Sequence, residues 1–466
     1  MPLDDGALAH MDQARRGARS EPPHTTRAPR GMRWGDRRIV NAVLVVGFIG
    51  GSALIALVFY TPGDLDAFRW PMAEMALHGH PLLVYSVHAG QWRSDNGPVS
   101  LVPLTLVAAV ANALGWQESL HLRADLTIAA FGVFSLLLAR EAVLAIEAGR
   151  GRLPHPLAAS ALFLLAPPLW IGVVGYGHVD LPIELWLTLL TVRLLGRRNT
   201  VQAGFCLGLA VLTRTTVLLS AIPLVLLLVS DRRSRSAAAL AGTAAVTVVA
   251  GLLPFLVADA RDVVQSLVTY RGDVPSLGGS FWQLIRGPSW AGFIQHWDVL
   301  ALGGAAVALT AAAVWRRPGG TVAAPRVYAL LAVSAACLPL LAKSVWPYYL
   351  VDPYIFATIW WLGRPGTALD WRVACPVLLA ACAVLLAVHP PLATGAKTAV
   401  GVATSTAVAL VIALILGDWF VARDGRHRSD RRGLGWAPAP GPTPPELDRP
   451  APASARHGPP CRTARP

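Results

Sequence analysis

IVNAVLVVGFIGGSALIALVFY, residues 39–60, holds no charged side chain from end to end. A helix needs about 20 apolar residues to cross the hydrocarbon core of a bilayer, so this run predicts a first transmembrane span. The basic stretch RGMRWGDRR, residues 30–38, precedes it. The run is too long for a cleaved signal and lacks a small-residue cleavage site, so it reads as an uncleaved start of translocation. Arginines flanking a span stay in the cytoplasm. That rule keeps residues 1–38 inside and sends residues 61–97 outside.

The rest of the chain repeats this pattern. Of 466 residues, 54% are hydrophobic and 14% charged, with a net charge of +13; soluble domains carry about 25% charged residues. The arginines lie in the termini and between apolar runs, so the charge reads as positive-inside topology, and nucleic acid is not an expected partner. Arg197–Arg198, Arg232–Arg233–Arg235, Arg316–Arg317 and Arg364 with Arg372 mark cytoplasmic turns. Candidate spans follow at 98–115, 121–147, 156–175, 181–195, 237–257, 298–315, 326–342, 350–362, 373–389 and 398–416. The expected fold is all-α, a polytopic membrane helix bundle of about 10–12 spans with short interfacial helices in its outer loops. Its bounds are 39–422, between a basic cytoplasmic arm (1–38) and a Pro/Arg-rich cytoplasmic tail (423–466), both too polar to bury a core.

Two places resist a simple count. Residues 200–230 are apolar with basic clusters at both ends, and Thr213-Arg214-Thr215-Thr216 interrupts them. Two short helices meeting at Arg214 satisfy the charge rule. Two full spans between 98 and 155 would put Arg150 and Arg152 outside and GYGHVD inside, so one segment there is expected to be bent or re-entrant.

The outer loop TPGDLDAFRWPMAEMALHGHPLLVYSVHAGQWRSDNGP opens with Asp64 and Asp66 beside the bilayer surface. Each can be a general base, a metal ligand or a helix cap. Residues 66–78 suit an interfacial helix with Phe68, Met72, Met75 and Ala76 on one side and Arg69 and Glu74 directed to water. Arg214 is the charge noted within an apolar run; it either binds an anion, pairs with Asp180 or snorkels. Tyr348 and Tyr349 are an aromatic belt or a stacking surface. Cys206, Cys337, Cys375 and Cys382 sit in apolar runs and Cys461 in the tail, with no CxxC or Cys/His spacing. Neither a metal nor another cofactor is expected.

Asp64-Leu65-x-x-Phe68 followed by Gly79-His80-Pro81 resembles the first outer loop of the GT-C membrane glycosyltransferases, most closely those that use polyprenol-phosphate-mannose. Asn96-Gly97-Pro98 stands where that family often has Tyr-Pro-Pro, and Gly177-His178-Val179-Asp180 is similar to its Gly-Gln-x-Asp/Asn turn. Ala203-Gly204 through Gly208-Leu209-Ala210 to Arg214 is similar to its AG-x-x-x-GLA-x-x-x-K run. Ser280 with Arg286, and Ser344-Val345-Trp346-Pro347-Tyr348-Tyr349, resemble its later outer motifs. Two departures stand out: Tyr348 replaces a frequent His, and Gly278-Gly279 replaces Asn-Gln.

The resemblance, which spans roughly residues 40–365, implies an inverting transfer of a sugar, mannose first, from a polyprenyl-phosphate donor to a hydroxyl of a lipid-linked glycan or polysaccharide. The expected setting is the non-cytoplasmic face of a bacterial plasma membrane, with membrane lipids around the enzyme. Asp64 is then the base and Asp66 its alternate. A guanidinium fork matches phosphate oxygens, which points to Arg214, Arg271 and Arg286 for the donor phosphate. His178, Asp180, Ser280, Trp346, Tyr348 and Tyr349 are the candidate substrate contacts. The rival reading is a multi-span transporter or lipid flippase, which would carry internal repeats and several charges deep in its spans.

Overall fold

The computed structural model describes residues 46–52, 63–86, 96–153, 155–269, 280, 282, 288–316, 324–364, 370–388 and 394–421. The arm 1–38, the tail 423–466, most of the first span and Gly278, Gly279, Arg271 and Arg286 lie outside them. Among the described residues every regular element is helical. A π turn, Leu65–Arg69, leads into α1, Trp70–Leu77. Then come α2, Leu101–Ala113; α3, Leu120–Arg150; α4, Pro156–Leu164; and α5, Pro167–Trp170, which runs on as a second π turn, Ile171–Gly175. The series continues with α6, Leu181–Gly196; α7, Thr200–Thr213; α8, Leu218–Ser230; α9, Ser234–Val264; and α10, Pro288–Trp315. It closes with α11, Ala324–Leu341; α12, Val351–Leu362; α13, Ala374–Ala387; and α14, Thr394–Val421.

Local chemistry sets the ends. The Ser119 hydroxyl accepts from Leu122 N at the start of α3, and Asn199 accepts from Gln202 N at the start of α7, each satisfying a donor that a helix start leaves open. The 200–230 run is two helices, as the charge rule requires. Arg214 is extended (φ −148°, ψ 131°) between α7 and the 3-10 turn Thr215–Val217. Helix α9 breaks at Asp259 (φ −158°, ψ 87°), whose carboxylate accepts from Asp262 N and restarts the helix.

Among the described residues, four helices are long and apolar enough to cross a membrane, or five if α4 and the α5 turn, bent by 43°, count as one, and five further apolar helices have 10–17 residues. At 1.5 Å per residue they fall short of about 30 Å of hydrocarbon.

Contacts sort the helix ends into two groups. At one end of the bundle, Asp66 meets Arg123 at the start of α3. At the other, Gly149 near the end of α3 lies against Pro325 and Gly363, and Arg364 and Arg372 pair with Asp418. The segment 98–115 is not a crossing. Gly97, just before it, abuts the Leu212 carbonyl, and Asn112 near its far end donates to Glu74 of α1 at 3.2 Å. Both ends of α2 therefore stay at the Asp66 end. The 98–155 region then contains one long helix, α3, and GYGHVD falls at the same end as Asp64.

Candidate functional site

The site assembles where helix ends of opposite polarity meet. Asp180 stands at the N-cap position of α6 and Glu184 lies in its first turn; Asp352 lies in the first turn of α12; Arg214 caps the C-terminus of α7. Each charge thus faces the pole of the helix dipole that favours it. The π turn Leu65–Arg69 adds Arg69, and the turn after Ile171–Gly175 adds Tyr176 and His178. Gly177 makes that turn possible. Its φ is +71°, and a Cβ there would sit 2.5 Å from Leu65 Cβ, so both the backbone hand and the close approach demand glycine.

A chain of polar contacts runs inward from the surface. His178 Nε2 lies 2.9 Å from Asp64 Oδ2. Arg69 Nη2 bonds to His178 Nδ1 at 2.8 Å, and Arg69 Nη1 lies 2.7 Å from Asp180 Oδ1. Arg214 Nε follows, 3.4 Å from Asp180 Oδ2 and 3.6 Å from Glu184 Oε2. The Tyr348 ring covers the group, 3.9 Å from the His178 ring centroid and 5.6 Å from the Arg214 guanidinium. Burial alone would raise the Asp64 carboxyl; contact with His178 and the charge of Arg69 outweigh it and hold the group below its ordinary value. Burial opposes the charge of Asp180 as well, and the charges of Arg69 and Arg214 outweigh it. The Tyr176 phenol is pushed up by burial and then by the Asp64 charge, so it stays a hydrogen-bond donor.

Only Asp64 of this chain of contacts reaches solvent appreciably. Its side chain is 32% exposed, against 3% for His178 and 0% for Asp180. It makes no capping bond to the helix it precedes, so the capping role falls away. Asp66 is 9% exposed and bound to Arg123, whose Nη2 and Nε both reach Oδ1, at 2.6 and 3.0 Å. Trp346 and Tyr349 flank the site half-buried, with Tyr176 and Trp346 edge to face at 5.8 Å. Ser280 is fully buried. A cleft between α1 and residues 96–104, lined by Phe68, Arg69, Met72, Asn96, Ser100 and Leu104, opens beside Arg69.

Several placements differ from expectation. Arg69, expected in water, is 7% exposed, because Asp180 and His178 offer it better partners than solvent does. Glu184 and Asp352 are further charges within apolar runs; the letters E in LPIELWLTLL and D in YLVDPYIF were the available signal. Arg123 also escaped notice, since its partner lies 57 residues away. Among the described residues no group of three or more His, Cys, Asp or Glu side chains is arranged to hold a metal. Neither a protein-family model nor a curated protein matches the chain.

Proposed function

We propose that the chain is a membrane glycosyltransferase that moves a sugar, mannose being the first candidate, from a polyprenyl-phosphate carrier to an acceptor hydroxyl on the non-cytoplasmic side. The observation that carries this reading is Asp64: one open carboxylate, at a helix start, backed by a buried His–Arg–Asp chain. Such a group is kept ionised and aimed, which is what a general base requires. In the step itself, Asp64 takes the acceptor proton while the acceptor oxygen attacks the anomeric carbon. The carbon–oxygen bond to phosphate breaks on the opposite face, the electron pair leaves with polyprenyl phosphate, and the configuration inverts. Tyr176 and Trp346 offer aromatic faces to the sugar. The cleft beside Arg69 offers apolar walls to a lipid-linked substrate.

The leaving phosphate needs cations. Arg214 already meets two carboxylates, and an added phosphate would crowd against them, so in this reading Arg214 holds Asp180 and the outer-loop Arg271 and Arg286 meet the phosphate. Transport is the second reading, favoured by the buried Glu184 and Arg214 and the half-buried Asp352. The two part in detergent, where no compartments exist: sugar transfer survives there and transport does not. Radiolabelled polyprenyl-phosphate sugars incubated with solubilised protein should yield labelled acceptor. Asp64→Asn should lower turnover by about 10²-fold or more while the protein still folds and inserts, with only a small loss in melting temperature. Asp66→Asn should instead lower the melting temperature by unpairing Arg123. Full turnover in Asp64→Asn removes this mechanism.

A further inference from the structure

The Asp64–His178 pair admits two opposite directions of proton traffic, and Arg69 separates them. In the familiar Ser–His–Asp arrangement the carboxylate orients an imidazole, and the imidazole is the base. Here the exposed group is the carboxylate and the buried one is the imidazole. A guanidinium has five donors and no acceptor. With Arg69 Nη2 only 2.8 Å from His178 Nδ1, that ring nitrogen has to present its lone pair. A proton on it would face another donor at hydrogen-bond distance. The other oxygen it might address, Asp180 Oδ1, is 3.6 Å away and already lies 2.7 Å from Arg69 Nη1. The proton of a neutral ring therefore sits on Nε2, which lies 2.9 Å from Asp64 Oδ2.

We infer that Arg69 fixes His178 as a neutral imidazole protonated on Nε2, so that His178 orients Asp64 as a hydrogen-bond donor and never receives its proton. This rests on the reading of Asp64 as the base. His178 and Arg69 are then positioning residues. Asp64 Oδ2 is occupied, and Oδ1 takes the acceptor proton: the acceptor O–H bond breaks and an Oδ1–H bond forms. Nε2 already carries hydrogen and Nδ1 is taken by Arg69, so the proton cannot pass inward. It leaves Asp64 to outside water through the 32% of the side chain that stays open. The other groups packed around the ring are the Tyr348 phenol, the Tyr176 phenol near Asp64, and Arg214 behind Asp180. None of them opens a second path from Nδ1.

The test uses the full chain in lipid nanodiscs with 15N-labelled histidine, the His178 signals being assigned by their loss in His178→Gln. At pH about 7, in the range where histidine ordinarily titrates, the spectrum should show one bare nitrogen and one protonated nitrogen, Nε2. An imidazolium, or a proton on Nδ1, overturns the inference. Turnover supplies a second arm. His178→Leu should lose about tenfold, the worth of one hydrogen bond to a charged group. His178→Gln places an amide N–H near the position of Nε2 and should recover most of that loss. If the Gln variant is as poor as the Leu variant, the ring itself is moving protons and the inference fails. The nitrogen spectrum needs no sugar transfer, so it stands apart from the Asp64→Asn comparison that tests the transferase reading.

Discussion

Asp66 commits one oxygen to two nitrogens of Arg123, whereas Asp64 keeps about a third of its side chain open. The opposed pulls on Asp64 predict a pH signature. Its carboxyl lies below its ordinary value of 3.8, because His178 and Arg69 overcome the upward push of burial. A base must be ionised, so the acid limb of kcat/KM due to this group should fall below pH 3.8. His178→Leu removes the contact that lowers the carboxyl and leaves the burial. The limb should then move to higher pH, and an unmoved limb would remove His178 from the site. Linkage has the same sign: a carboxyl lowered by folding stabilises the native state above its unfolded value, and that stabilisation fades as pH falls through the folded one. Arg214 predicts a stability effect. Arg214→Met leaves Asp180 and Glu184 with one cation fewer and should lower the melting temperature. Adding Asp180→Asn should recover part of the loss, with a coupling of about 1–3 kcal/mol in a double-mutant cycle. Additive losses would show that the two do not interact. Single letters suggested Asp64, Arg214 and Asp180. They did not suggest Arg69, because its meaning depends on His178, 109 residues away.

Helices were the most legible level: most apolar runs within the described residues became helices near their expected ends, although α10 starts at Pro288 rather than 298 and the run 156–175 is broken. Orientation was less legible. Residues 98–115 have a span's composition, with Val102, Leu106, Val110 and Leu114 exposed along one face. The contacts of Gly97 and Asn112, which no periodicity reveals, keep both ends together. Cysteines placed at the exposed positions His80 and Glu118 should therefore both react with an impermeant thiol reagent from outside, while one at Arg152 should not. Protection of the Glu118 site alone would restore a crossing for α2. The glycines of α7 carry a packing role beside their place in the motif. Cβ atoms at Gly204 and Gly208 would come within 2.7 and 2.6 Å of Thr243 and Thr247 side chains of α9. Small residues four apart let two helices touch along their backbones, and that contact holds Arg214 at its height.

Across the described residues, the apolar runs carried the order of helices, while the pairings of charges between distant helices, apart from Arg214 with Asp180, were invisible in a linear reading. The resulting bundle is held at both ends by ions. One group surrounds Asp180. The other is Asp418 of α14, which meets Arg364 at 2.5 Å and Arg372 at 2.8 Å, with Arg372 also paired to Asp370. Asp418 lies three residues before the end of α14, and this has a mechanical meaning. When the chain is pulled out of a membrane by its C-terminal tail, tension arrives at Asp418 almost at once and loads both arginines together. The first rupture in a force–extension trace should therefore be strong and short. Asp418→Asn should weaken that first peak and leave the later ones in place, because the Asp180 group feels no load until α14 has come away.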